Sequence, residues 1–169
     1  MPARREDDRR PAKRRTTVER TSERELVVTR TFDAPARIVF EAWTKPELFK
    51  QWWLPKSMGM SLVSCEMDVR TGGGYRLVFA PAVEFFGKYL EVVPHSRLVW
   101  TNDEGGGDGS VTTVTFEERD GNTLLVVHEL YASKEALDAA GTGAADATHE
   151  TFEQLDDLLA ALLADRAQP

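Results

Sequence analysis

Gly87-Lys-Tyr-Leu-Glu-Val-Val-Pro-His-Ser-Arg-Leu-Val-Trp-Thr-Asn102 decides the fold. Two runs rich in β-branched and aromatic residues flank Pro94-His95-Ser96, residue types that favour a tight turn. The stretch reads as two strands, with Tyr89, Val93 and Trp100 among its large side chains. So short a connection forces antiparallel pairing, because a parallel pair needs a long crossover.

Working outward, the same pattern repeats. Strands are expected at about 61–69, 74–80, 84–92, 97–102, 111–117 and 124–131, with Glu25–Phe32 as the first. Their connectors are turn chemistry: Gly72-Gly73-Gly74, Pro81, Glu104-Gly-Gly-Gly-Asp-Gly109 and Asp120-Gly121-Asn122. After the first strand, Asp33-Ala34-Pro35 starts a helix carrying Ile38, Val39, Ala42 and Trp43 at helical spacing. Thr44-Lys-Pro46 restarts the chain into a second helix, Glu47 to Trp53, which Pro55 stops. Residues 132–141 form a loop or short helix capped by Ser133, and Gly141-Thr-Gly143 is expected to break it. A long helix then runs from about Ala144 to Ala164, with Thr148, Phe152, Leu155, Leu159 and Leu162 on one stripe. The prediction is an α+β fold: a curved antiparallel sheet of about seven strands, closed by the last helix across its concave face.

Residues 1–22 have almost no apolar content and read as a disordered basic arm, leaving residues 23–166 as one domain. Within residues 1–15, seven Lys/Arg face three Asp/Glu, a net of +4. The whole chain carries −7, so the remainder carries −11. A body this acidic repels phosphate backbones, which argues against nucleic-acid binding by the folded domain. No run approaches the roughly 18 apolar residues of a membrane-spanning helix. No apolar signal segment follows the N-terminal arginines, and Cys65 is the single cysteine. A cytoplasmic location is expected on these grounds.

Several motifs fail on inspection. The glycine clusters join strand to strand, whereas a phosphate cradle needs a helix N-terminus behind it. His95, His128 and His149 share no metal-ligand spacing and Cys65 has no cysteine partner, so neither metal nor cofactor is expected. His128 is the best general-base candidate. Alternation places it on one face with Leu124, Val126 and Leu130, and if that face is concave it touches a ligand. The more ordinary reading is a core histidine satisfied by a neighbouring hydroxyl or carbonyl. Aromatic rings and methionines gather in the short helices, the strands and the last helix, the residue types that line an apolar pocket.

Read together, these segments are recognisable. Phe32-Asp-Ala-Pro35, Val39-Phe-Glu-Ala-Trp43, Gln51-Trp-Trp53, Asp68-Val-Arg-Thr-Gly-Gly73, Gly87-Lys-Tyr-Leu-Glu-Val-Val-Pro94, Arg97-Leu-Val-Trp-Thr101, Ser133-Lys-Glu-Ala-Leu137 and Glu150-Thr-Phe-Glu-Gln-Leu-Asp-Asp-Leu-Leu159 carry the resemblance. The chain resembles the SRPBCC (START-like, helix-grip) superfamily, in the bacterial branch similar to the C-terminal domain of activators of the heat-shock protein 90 ATPase. The resemblance implies a β-α-α-β6-α helix grip with a hydrophobic cavity between sheet and last helix. A small hydrophobic or amphipathic ligand is therefore expected, lined by Trp53, Met60, Phe79, Phe86, Tyr89, Trp100, His128, Thr148 and Phe152. Two alternatives stand beside it. One is a cyclase- or hydrolase-type enzyme using His128 with Glu66, Glu84 or Tyr89 for proton transfer. The other is a stress-response module that binds a protein partner, a chaperone.

Overall fold

Two tight turns set the register of the sheet. At Val93–Ser96, Pro94 supplies a fixed φ, His95 takes a left-handed φ of 68°, and Ser96 N–H donates to Val93 O at 3.1 Å. At Asp120-Gly121, both residues have positive φ, 54° and 82°, as the favoured two-residue hairpin turn requires. The computed structural model describes residues 16–53, 55–80, 83–103 and 109–167. Residues 1–15 of the basic arm, the Pro81 connector and most of the Glu104–Gly109 loop lie outside the described residues.

The strands are β1 (Thr17–Arg20), β2 (Glu25–Phe32), β3 (Ser61–Met67), β4 (Gly74–Ala80), β5 (Val83–Val93), β6 (Arg97–Asn102), β7 (Ser110–Arg119) and β8 (Asn122–Leu130). They form one antiparallel sheet in the order β1-β2-β8-β7-β6-β5-β4-β3. Bulges at Leu62/Ser64 and Tyr89/Glu91 add local bend and twist to its curve. The sheet thus has eight strands rather than seven. The addition, β1, lies within the stretch expected to be disordered; its polar Thr-Val-Glu-Arg pairs along the free edge of β2.

Helix α1 (Ala36–Thr44) packs against β7 and β8, and short helix α2 (Pro46–Phe49) against β3. Pro35 is the N-cap of α1, and Glu118 of β7 supplies the missing cap, its Oε1 accepting the Ala36 N–H at 2.8 Å. Helix α3 runs unbroken over Lys134–Ala167, straight through Gly141-Thr-Gly143. A glycine inside a helix costs about 1 kcal/mol relative to alanine, which lowers propensity without forcing a break. Ser133 Oγ caps its start by accepting the Ala136 N–H at 3.1 Å.

The sheet's inner face and the stripe of α3 meet in the core. Val28, Phe32, Leu98, Val114, Phe116, Leu125 and Val127 face Phe152, Leu155 and Leu159, all buried. A buried cation keys the helix to the sheet. Arg30 is 3 % exposed, and its guanidinium pairs with Asp156 of α3 while donating to Thr16 Oγ1 at 3.0 Å.

Candidate functional site

Strand pairing lays one row of inward side chains across five strands: Leu26, Glu129, Thr112, Trp100 and Tyr89. Above the middle of this row, sheet and α3 do not close. Trp43 comes from α1, Trp52 from the turn after α2, and Thr148, Thr151 and Phe152 from α3. The space between them is a cavity of about 370 Å³. Its lining is overwhelmingly apolar and includes Leu26, Val28, Phe85 and Val127 as well as Trp43, Trp52, Trp53 and Trp100. Those four are all the tryptophans in the chain.

The tryptophans hold one another in place. Trp43 meets Trp52 edge-on at 4.7 Å between centroids and lies 5.9 Å from Trp100 and 6.4 Å from Phe152. Trp53 stacks on Phe49 at 4.7 Å. Trp52 Nε1 donates to Ala42 O at 2.9 Å, whereas Nε1 of Trp43 and of Trp53 are buried without a partner among the described residues.

Pro55 and Met58, in the loop between α2 and β3, also line the cavity, and that loop is fastened to α3. Glu150 accepts from Ser57 Oγ at 2.6 Å and from Ser57 N–H at 3.0 Å, bonds that hold its carboxyl below the usual carboxylate range. Gln154 completes the clasp, accepting from Lys56 N–H at 2.9 Å and donating to Trp52 O at 3.1 Å.

Polar groups inside are few. Thr112 Oγ1 accepts from Asn102 Nδ2 at 2.9 Å, and Thr151 Oγ1 donates to Thr148 O at 3.1 Å. Glu129 is the one ionisable residue in the lining among the described residues. Burial pushes its carboxyl up, against the lowering effect of Tyr131, whose hydroxyl donates to Oε2 at 2.8 Å.

Of the nine residues expected from sequence, Trp53, Trp100, Thr148 and Phe152 line this cavity. Tyr89 is buried one position along the row and lines a neighbouring void of about 20 Å³ together with Trp43, Trp53 and Trp100. Phe79 is core and Met60 packs against the core, neither in the lining. Phe86 is a correction: it is 38 % exposed on the outer face, and its neighbour Phe85 points in. His128 is a second correction. It faces outward, its Nε2 2.7 Å from Glu25 Oε2, while Glu129 turns into the cavity. The proton-transfer reading built on His128 in the cavity loses its base. Strand alternation carries both corrections, since Phe85 shares a face with Tyr89, and Glu129 with Leu125 and Val127.

The match to known proteins agrees with this architecture. The family of Activator of Hsp90 ATPase homolog 1-like proteins matches residues 33–163. A crystal structure from Rhodobacter sphaeroides superposes with a TM-score of 0.78 at 25% identity, covering 88% of this chain and 99% of that one. Structures from Nitrosomonas europaea (TM-score 0.75, 23% identity, 86% and 99% covered) and Mycobacterium smegmatis (0.71, 24%, 88% and 99%) share the fold. No curated protein matches the sequence. With the family matched over most of its length and the helix grip in place, the chain belongs to the Activator of Hsp90 ATPase homolog 1-like family.

Proposed function

We propose that this protein binds a small hydrophobic or amphipathic molecule in the cavity between sheet and α3. One observation carries the reading: a space of about 370 Å³ lined by all four tryptophans of the chain, within the size range of small-molecule sites. A core built only for stability closes such space, because interiors pack to crystal-like density. A ligand there exchanges water for apolar contacts at roughly 25 cal/mol per Å² buried. The family alone does not choose a function, since one scaffold hosts many, so the site carries the reading.

Titration with octan-1-ol, followed by intrinsic tryptophan fluorescence, tests it. A saturable change with one-to-one stoichiometry supports the reading, and a flat titration contradicts it.

A protein-interaction role is a second reading, favoured by the family description and by Phe86, Leu90 and Val93, all exposed on β5. Retention of the host's heat-shock protein 90 homologue by immobilised protein supports it. Retention that survives Phe86→Ser and Leu90→Ser counts against this surface.

A further inference from the structure

We propose that the cavity selects an apolar molecule bearing one protonated amine, with the ammonium against Glu129 and the hydrocarbon body on the indole rings. This rests on the ligand-binding reading above and names the ligand's chemical class.

Among the described residues the lining holds one ionisable side chain, Glu129, and no lysine or arginine. An anionic ligand would meet a carboxyl and find no cation. The buried cation among the described residues, Arg30, lies outside the lining and is already paired with Asp156. Thr112 Oγ1 accepts from Asn102 Nδ2 and Thr151 Oγ1 donates to Thr148 O, and both hydroxyls are neutral. Ionic recognition within the described lining therefore falls to Glu129. Its Oε2 accepts from Tyr131, and no hydrogen bond to Oε1 is found among the described residues.

Aromatic faces complete the case. A cation is attracted to the face of an indole, most strongly when both are removed from water. Trp43, Trp52, Trp53 and Trp100 supply four such rings around the carboxylate's cavity. Along the transverse row, Glu129 and Trp100 are separated by Thr112 alone, two strand spacings or roughly 10 Å. That distance suits a molecule with one charged end and a short apolar body. Burial pushes the Glu129 carboxyl up; Tyr131 gives its ionised form a hydrogen bond but no opposite charge, and an ammonium supplies one.

Three probes of one length test the proposal on the full chain near neutral pH: octylamine, octan-1-ol and octanoate, by calorimetry and tryptophan fluorescence. Octylamine is expected to bind about tenfold or more tighter than the alcohol, with octanoate weakest. In Glu129→Gln, which keeps an oxygen for Tyr131, the amine's advantage over the alcohol, read as the ratio of their affinities in the same variant, is expected to vanish. The wild-type ranking stands independently of how the variant folds. If the alcohol binds as tightly as the amine, or octanoate binds best, the amine proposal is overturned and ligand binding stands. An amine preference that survives intact in a folded Glu129→Gln overturns it equally. If none of the three binds saturably, the ligand-binding reading falls, and the proposal with it.

Discussion

His128 Nε2 and Glu25 Oε2 lie 2.7 Å apart on the outer face of the sheet, and the next residue of β8, Glu129, points the other way into the cavity. The pair holds the Glu25 carboxyl below the usual carboxylate range, the His128 hydrogen bond being the largest cause. Exposed pairs contribute little to stability. His128→Asn is accordingly expected to leave the urea midpoint close to wild type and octan-1-ol binding unchanged. Loss of binding in a folded His128→Asn protein would return His128 to the site.

Glu129 predicts a pH signature of opposite sign to Glu25. Burial raises its pKa in the folded state, so the native protein holds this proton more tightly than the unfolded chain. The contribution is fully present below the unfolded carboxylate pKa and is lost as pH rises through the raised folded value. Glu129→Gln removes that titration. Denaturation of both proteins across acidic to neutral pH is expected to show the variant gaining on wild type as pH rises. A constant difference would mean that Glu129 is not perturbed by burial.

Gly87 of β5 lies tight against β6. A Cβ there would sit 1.9 Å from Thr101 O and 2.8 Å from its carbonyl carbon, so backbone must move. Gly87→Ala is predicted to cost about 1–3 kcal/mol in chemical denaturation, the range of overpacking. An unchanged midpoint would show that β5 and β6 separate freely.

The Arg30–Asp156 pair predicts an asymmetry. Arg30 is 3 % exposed and Asp156 30 %, so removing the acid strands a buried cation. Asp156→Ala is expected to lose about 3–5 kcal/mol, and Arg30→Met, which puts an apolar chain in the same place, distinctly less. Equal losses would assign the stability to packing of the arginine stem.

The fold was legible wherever a residue has one physical reading. Pro94-His95-Ser96 and Asp120-Gly121-Asn122 admit little but turns, and the Phe152, Leu155, Leu159 spacing admits little but a helix. Legibility failed where two readings share one pattern. Leu124/Val126 and Leu125/Val127 are equally apolar sets on opposite faces of β8, and only pairing with β2 and β7 decides which is inside. That single parity exchanges His128 for Glu129, and the same ambiguity exchanges Phe86 for Phe85. Strand β1 is ordered by the edge of β2 rather than by hydrophobicity of its own. Trp43 and Trp52 entered the site through helix placement, which no local pattern specifies.

Four indole N–H groups offer the most direct test of the cavity, because every tryptophan lines it. In ¹H–¹⁵N spectra with octylamine added stepwise, the indole resonances of Trp43, Trp53 and Trp100 are predicted to shift saturably and together. The N–H groups of Trp43 and Trp53 have no partner among the described residues, so their shifts report closely on what packs against the rings. Shifts confined to backbone amides around Phe86 and Leu90, with all four indoles unmoved at saturation, would contradict a ligand-binding cavity.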